Sequence, residues 1–148
     1  MKSKHIHKRH NVSLLLYHIV FPIKYRRKVI TKRVQKVLKA ICLGLEKRYE
    51  MKFLEIGMEE DHVHFLVQSV PNKSPKEIVL TIKSISAKKI FRICPEVKAK
   101  LWGGIFWTSG YYVNTVSRHG NESVISKYVK NQGKADYTTI YKQSELFK

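Results

Sequence analysis

Two apolar runs joined by three acidic residues constrain the fold more than any other part of this sequence. Residues 51–58 carry apolar side chains at every second position, the period of a half-buried β-strand: Leu54, Ile56 and Met58. Glu59-Glu60-Asp61 then provides a turn, and residues 62–70 continue as a second, almost wholly apolar strand. The two runs predict an antiparallel pair of strands in the middle of the chain.

Helical patterns stand on both sides of this pair. Thr31 can cap a helix whose apolar residues recur at helical spacing: Val34, Val37, Leu38, Ile41 and Leu45. Ser74-Pro75-Lys76-Glu77 is a capping box with proline at the first helical position, and the helix that it opens must end before Pro95. Asn121 can cap a last helix, which Gly133 can end.

The order of elements predicts the fold class. Residues 12–21 are interpreted as a first strand, and the aromatic segment IFWTSGYYVNTVS as a later strand or hairpin arm. The order strand, helix, strand, strand, helix, strand, helix predicts an α+β protein with a ferredoxin-like antiparallel sheet, helices on one face and an appended C-terminal helix. We expect one domain over residues 1–148, with a basic N-terminal extension at 1–11 and a C-terminal tail at 134–148.

The charge of the chain indicates its partner. It has 29 Lys and Arg against 11 Asp and Glu, a formal net charge of +18, which favours a polyanion such as nucleic acid or an anionic membrane. The longest apolar run, VSLLLYHIVF, is shorter than the roughly 20 residues that span a bilayer. FPIKYRRK follows it where a signal peptide would have its cleavage site, so we expect a cytoplasmic protein without a membrane partner. Cys42 and Cys94 lack CxxC spacing and are predicted to be buried free thiols.

Two histidines interrupt the second apolar strand. His62 and His64 are two residues apart, so their imidazoles leave the same face of a strand and can chelate one metal ion. The pair alone is equally compatible with buried core histidines that are satisfied by hydrogen bonds. His5-Ile6-His7 has the same spacing, but it lies in a basic, turn-free terminus and is interpreted as solvated charge.

The last predicted helix supplies groups that can act with these histidines. Tyr128 and Gln132 are four residues apart and therefore share one helical face. Taken singly, Tyr128 fits ordinary amphipathic packing and Gln132 fits a solvent-facing amide near a helix end. Together with the histidines they form a coherent set, in which Gln132 can provide a third metal ligand and Tyr128 can present its phenol to a substrate that the metal activates.

The same residues resemble those of a known family. The HVH of DHVHFLVQS, the YVKNQ run at 128–132, the early KYRRK and LWGGIFWTSGYYVNTVS together resemble the TnpA transposases, single-tyrosine HUH enzymes of bacterial insertion sequences that move as single-stranded DNA. The resemblance covers residues 12–132. It implies a ferredoxin-like fold, an obligate dimer, His62, His64 and Gln132 as metal ligands, and Tyr128 as the nucleophile that becomes linked to the 5′ phosphate.

The chemistry is consistent with this resemblance. A phenol has a pKa near 10, so its attack on a phosphodiester needs help from a cation or a base. Two imidazoles would suit zinc or another late transition metal, whereas phosphate chemistry and the resemblance favour Mg²⁺ or Mn²⁺, which we expect here. The resemblance also implies hairpins at the element ends as the DNA partner and composite active sites in the dimer, although the sequence leaves action of Tyr128 in cis or in trans open.

Basic and aromatic side chains provide candidate DNA contacts. We expect six cations to contact phosphates, with a generally basic solvated surface as the competing interpretation for each: Lys24, Arg26, Arg27, Lys83, Lys88 and Lys89. Four aromatic residues can stack on unpaired bases, or can belong to the core or a dimer interface: Phe106, Trp107, Tyr111 and Tyr112.

Two other classes of protein share part of this pattern. A non-catalytic RRM-like module that binds single-stranded nucleic acid would share the fold and the charge, but it would need surface aromatics in an RNP pattern, which the sequence lacks. A second alternative is a related HUH enzyme with another role, such as a repeat-associated transposase. A replication initiator would usually need a helicase domain, for which the 148 residues leave no room.

Overall fold

The computed structural model describes residues 5–116. In chain order, its strands are β1 (Ile6–His7), β2 (Val12–Ser13), β3 (Leu15–Pro22), β4 (Lys52–Met58), β5 (His62–Ser69) and β6 (Tyr112–Thr115), and its α-helices are α1 (Lys32–Arg48), α2 (Pro75–Ile93) and α3 (Pro95–Lys100). The predicted last helix, with Tyr128 and Gln132, and the predicted tail at 134–148 lie outside the described residues.

The main sheet has four strands in the order β4-β5-β3-β6, and all neighbours are antiparallel. With the connections β3-α1-β4 and β5-α2-β6, this is the ferredoxin-like α+β arrangement that the order of elements predicted. The strands of the predicted central pair, β4 and β5, lie side by side. Because β5 and β3 occupy the centre of the sheet, each has a neighbouring strand on both sides, which shields its side chains from solvent.

Local sequence signals explain where the two long helices begin. The Thr31 side chain accepts a hydrogen bond from the Val34 amide at 3.3 Å, and the Ser74 hydroxyl accepts one from the Glu77 amide at 3.1 Å. Both helices pack on the same face of the sheet, where their apolar residues meet alternate side chains of β3 and β5 such as Phe21 and Phe65. Within residues 5–116, no helix is long and apolar enough to cross a membrane.

The alternation predicted for β4 is interrupted by a bulge. Its register with β5 shifts between Phe53 and Glu55, so that Leu54 turns to the other face of the sheet. Leu54 therefore packs beside Leu16 and Leu66, whereas Ile56 and Met58 face the helix-covered core. The expectation that these three residues share one face was wrong, because the extra residue of a bulge shifts the alternation of side chains between the two faces by one position.

The N-terminal segment also differs from the prediction. It is not turn-free, because β1 and β2 form a short antiparallel hairpin closed by a hydrogen bond from the Lys8 amide to the Asn11 carbonyl at 2.7 Å. His5 and His7 are exposed on this hairpin, as solvated side chains are expected to be. The predicted first strand is consequently divided, and the long strand begins at Leu15. Cys42 and Cys94 are buried free thiols, as predicted.

Candidate active site

His62 and His64 leave β5 on the face of the sheet opposite the helices, as the strand period predicts. Both side chains are buried, and their Nε2 atoms lie 2.9 Å apart. Adjacent ligands of an octahedral ion with bonds of about 2.1 Å are about 3.0 Å apart, whereas a tetrahedral ion with the same bonds separates them by about 3.4 Å. The pair therefore has the spacing to hold an octahedral cation, and the same distance allows an N–H···N hydrogen bond between the rings.

Asp61 orients the first imidazole. Its Oδ1 lies 2.8 Å from His62 Nδ1, so that Nδ1–H donates to the carboxylate and the Nε2 lone pair points towards His64. Burial favours a raised pKa for Asp61, but the hydrogen bond from His62 and the charge of Arg26 hold this pKa below its usual value. Arg26 makes this contribution through an ion pair, with Nε 3.5 Å from Asp61 Oδ2. An ionised Asp61 thus fixes the tautomer that a metal ligand needs.

Asp61→Asn is expected to raise the Mn²⁺ concentration needed for DNA cleavage by about 10- to 100-fold, because hydrogen-bond partners of ligating histidines typically contribute that much to metal affinity. The measurement is the Mn²⁺ concentration that gives half-maximal DNA cleavage. Glu60→Gln is the matched control, since the adjacent carboxylate is exposed and pairs only loosely with Lys28 at 3.9 Å. An unchanged half-maximal concentration in Asp61→Asn would show that this carboxylate does not support a metal ligand.

A third histidine lies beside the pair. His18 of β3 is buried, and its ring stacks on that of His64 with a centroid distance of 5.7 Å. Burial lowers the pKa of His18 to about 4, and burial with the neighbouring His62 and His18 lowers the pKa of His64 to about 3. Both rings are therefore neutral near pH 7, and a neutral imidazole is the form that binds metals. The rings of Tyr112 and His18 pack edge-to-face, with a centroid distance of 5.9 Å.

The sequence did not lead to a prediction for His18, nor for the positions of Asp61 and Tyr112 beside the histidines. His18 lies within the apolar run VSLLLYHIVF, and a polar residue inside a predicted buried strand was itself a signal. Its contact with His64 could not be predicted from the sequence, because the contact depends on the register of β3 with β5. That register places Val20 opposite His64 and so brings His18 within reach of the His64 ring. Asp61 directly precedes the histidines, but only the structure shows its carboxylate at Nδ1 of His62.

The described part of the chain supplies two candidate ligands, His62 and His64. Within residues 5–116, no group of three or more His, Cys, Asp or Glu side chains is placed to hold a metal ion. Gln132, predicted as the third ligand, and Tyr128, predicted as the nucleophile, lie outside the described residues. A third protein ligand for His62 and His64 therefore has to be another type of residue or come from outside this part of the chain.

The six predicted phosphate contacts have different surroundings. Arg26 pairs with Asp61, and the Arg27 guanidinium donates to the Lys100 carbonyl at 3.1 and 3.3 Å. The Lys83 ammonium donates to the carbonyls of Thr108 at 2.7 Å and Ser109 at 3.2 Å, and burial lowers its pKa. Lys88 is exposed, whereas Lys24 and Lys89 are half-buried. Lys83 thus fixes a loop of the protein, and phosphate binding by the six cations stays a prediction.

The four predicted aromatic contacts divide into two groups. Phe106 and Trp107 are buried, and the Trp107 indole N–H donates to the Ser86 hydroxyl at 2.9 Å, so both belong to the core. Tyr111 and Tyr112 are half-buried. The most exposed aromatic rings within residues 5–116 are instead those of Tyr25 and Trp102, which are 66% and 86% exposed and were not singled out from the sequence.

The fold and the site define a class of protein: a ferredoxin-like domain whose central strand presents a paired histidine site opposite the helices. The family model described as "Transposase IS200 like" matches residues 11–132, which is most of the chain. The chain therefore belongs to the IS200-like transposases, the DNA-transposing family that the HVH and YVKNQ motifs suggested.

Curated relatives give the same result. The chain is 32% identical over 118 residues to the ISDra2 transposase TnpA of Deinococcus radiodurans, covering 80% of this chain and 84% of the relative. It is 31% identical over 120 residues to the transposase of insertion sequence element IS200 from Salmonella typhimurium, covering 81% of this chain and 78% of the relative. In each comparison, the similarity thus spans most of this chain and most of the relative.

Solved structures share the fold. A crystal structure from Deinococcus radiodurans R1, assigned as a transposase, superposes with a TM-score of 0.70 at 31% identity, covering 86% of this chain and 97% of the other. A REP-associated tyrosine transposase bound to a REP hairpin superposes with a TM-score of 0.56 at 9% identity, covering 84% of this chain and 67% of the other. At that identity the second comparison supports the fold alone.

Proposed function

We propose that this transposase binds single-stranded DNA hairpins at the ends of its element, cleaves one strand through a 5′-phosphotyrosine intermediate at Tyr128, and rejoins the strand by transfer. The observation that carries the proposal is the pair of buried Nε2 atoms of His62 and His64, 2.9 Å apart, with His62 oriented by Asp61. A buried core would not require this arrangement, since apolar residues could fill the same positions of β5.

Mg²⁺ or Mn²⁺ is the proposed cofactor, held by His62, His64 and Gln132. Bound there, a divalent cation would neutralise charge on the scissile phosphate and stabilise the leaving oxygen. The protein's own contribution is to present two neutral imidazoles: Asp61 fixes the tautomer of His62, and burial keeps His64 unprotonated. The two Nε2 atoms are close enough to bind one ion, and phosphate chemistry favours Mg²⁺ or Mn²⁺ as that ion.

Tyr128 is the proposed nucleophile. Its phenol oxygen attacks the phosphorus, a Tyr–O–P bond forms, and the bond from phosphorus to the 3′ oxygen breaks. The phenol gives up its proton and the departing 3′ oxygen takes one up, so the released strand ends in a free 3′-OH. Because the phosphoester bond is retained as phosphotyrosine, a 3′-OH of another strand can reverse the step without an external energy source. The reaction is therefore strand transfer, with no net hydrolysis.

The experiment that tests the function uses a labelled single-stranded hairpin oligonucleotide from the end of the protein's own element. The protein is incubated with this strand and Mg²⁺ or Mn²⁺, and the products are separated on a denaturing gel. We expect a covalent protein–DNA adduct that requires the metal and is absent with the same sequence as duplex. If the wild type binds the strand tightly but gives no adduct under either metal, the chain is a binding module of the RRM-like kind.

We also propose that the enzyme is a homodimer with composite active sites, in which Tyr128 of one subunit acts with the histidines of the other. Gly120 and Gly133 flank the predicted helix of Tyr128 in the sequence, and glycine allows the backbone conformations that a change of direction requires. A repeat-associated transposase would use the same chemistry on different DNA, so the choice of oligonucleotide distinguishes that alternative.

A further inference from the structure

The basic turn after β3 has an unusual backbone. Tyr25 and Arg26, in the 3-10 turn Lys24–Arg26, have φ values of 58° and 55°, in the left-handed region that residues other than glycine rarely adopt. Two contacts hold Arg26 there: its amide donates to the Ile23 carbonyl at 2.8 Å, and its guanidinium pairs with Asp61. Strained backbone of this kind persists where surrounding contacts determine it, and it often marks a functional site.

The turn leaves the Tyr25 ring exposed at the edge of a pocket. While Arg26 reaches back to Asp61, the Tyr25 side chain remains 66% exposed, with the Lys24 ammonium 5.1 Å from its ring centroid. The pocket has a volume of about 380 Å³ and is formed by the turn, by Pro22 and Ile23, and by Thr108 and Ser109 of the opposite loop. An aromatic ring and a cation thus border one concave surface.

Hydrogen bonds hold the loop that forms the opposite wall of the pocket. The Lys83 ammonium donates to the Thr108 and Ser109 carbonyls, and the Thr108 amide donates to the Pro22 carbonyl at 3.0 Å. The Lys24 amide in turn donates to the Phe106 carbonyl at 2.9 Å. These bonds join the loop to the turn, so the pocket does not need to be assembled when a ligand arrives.

The pocket wall is joined through the backbone to the segment that carries the histidine pair. Pro22, in its wall, lies opposite His62 in the register of β3 with β5, and the Ile23 amide donates to the Asp61 carbonyl at 2.8 Å. Asp61 therefore contacts the pocket wall through its backbone and His62 through its side chain. A strand that places a phosphate at the histidines will have a neighbouring nucleotide close to this pocket.

We propose that the pocket receives one unpaired nucleotide adjacent to the scissile phosphate, with its base stacked on Tyr25 and its phosphate beside Lys24. This inference rests on the proposed function, since it assumes a single strand at the histidine pair. Single-stranded DNA is typically bound by aromatic rings that stack on bases beside cations that neutralise the backbone. Lys24 is available for this contact, whereas the guanidinium of Arg26 is paired with Asp61 and that of Arg27 with a carbonyl.

The test measures binding of the full-length protein to a labelled single-stranded oligonucleotide from its element end, with EDTA present so that no cleavage intervenes. Tyr25→Leu is expected to weaken the affinity about 5- to 150-fold, the range found when a base loses one aromatic stacking partner. Tyr25→Trp should stay within about threefold of wild type, because a larger ring retains stacking. Trp102→Leu is the matched control, since this ring is even more exposed than that of Tyr25 but does not border the pocket.

A second measurement identifies the nucleotide. 2-Aminopurine, whose fluorescence falls when it stacks, is placed at successive positions on either side of the cleavage site. We expect quenching at one position that is lost in Tyr25→Leu and kept in Trp102→Leu. Binding of Tyr25→Leu within twofold of wild type, with quenching unchanged at every position, would overturn the pocket assignment.

The two proposals fail in different ways. If the wild type forms the covalent adduct while Tyr25→Leu binds normally, the pocket inference is wrong and the proposed function stands. If the wild type binds the strand, loses affinity in Tyr25→Leu and forms no adduct, the pocket assignment stands and the catalytic proposal is wrong. A wild type that does not bind the single strand at all would contradict both.

Discussion

Tyr128→Phe is expected to abolish the covalent protein–DNA adduct while strand binding stays close to that of the wild type. The substitution removes only the phenol oxygen, which is the nucleophile of the proposed reaction, and leaves a ring of nearly the same shape. Adduct formation on a denaturing gel measures the reaction, and fluorescence anisotropy in EDTA measures binding.

Tyr49→Phe is the matched control for this prediction. Tyr49 follows the last turn of α1 and packs against the helix-covered core, so the loss of its hydroxyl should leave adduct formation unchanged. Adduct at the wild-type level in Tyr128→Phe would show that another residue is the nucleophile. Loss of both adduct and binding would instead mean that Tyr128 serves folding or DNA recognition.

His64→Ala is expected to raise the Mn²⁺ concentration needed for half-maximal adduct formation by more than about 100-fold, since outer partners of metal ligands alone contribute 10- to 100-fold. High Mn²⁺ should restore part of the activity, because His62 and the remaining ligand can still bind weakly. His64 is buried, so circular dichroism must show that the variant is folded.

The N-terminal hairpin provides the control for the histidine pair. His5 and His7 have the same spacing on β1 and its edge but are exposed and lie outside the main sheet. A His5→Ala/His7→Ala double variant should therefore respond to Mn²⁺ like the wild type. An equal loss of cleavage in this double variant would contradict the assignment of the metal site to His62 and His64.

The same two catalytic variants also test the composite site. If Tyr128 acts in trans, a heterodimer of Tyr128→Phe with His64→Ala has one intact site, whereas in cis each site carries one lesion. Co-expression with statistical pairing gives about half mixed dimers with one good site of two, so roughly a quarter of wild-type cleavage should return in trans. Verified heterodimers without activity would exclude the trans arrangement and leave the tyrosine chemistry intact.

Local signals in the sequence were enough to predict much of the fold. The capping residues Thr31 and Ser74 act within one helical turn, so their hydrogen bonds could be predicted without knowledge of the tertiary structure. The shared face of His62 and His64 follows from the geometry of a single strand. The ferredoxin-like order of strands followed from the order of elements, because few arrangements bury two amphipathic helices against one sheet.

Long-range contacts could not be obtained in the same way. The bulge at Leu54 depends on how β4 pairs with β5, and the short N-terminal hairpin has too few apolar residues to give a strand signal. The Lys83 ammonium binds carbonyls 25 and 26 residues away, because a partly buried cation requires partners. Nothing in the spacing of residues along α2 indicates such a contact.

For this protein, the sequence by itself indicated the family through a resemblance in the HVH and YVKNQ motifs. It also determined the α+β fold and the presence of two imidazoles on one strand face, because these depend on the order of elements and on a period of two. Only the tertiary structure placed Arg26 on Asp61, His18 on His64 and the exposed ring of Tyr25 beside a pocket next to the pair. Each of these contacts joins different segments of the chain. Their geometry depends on strand register and on the backbone of one turn, and neither is encoded within a local window of residues.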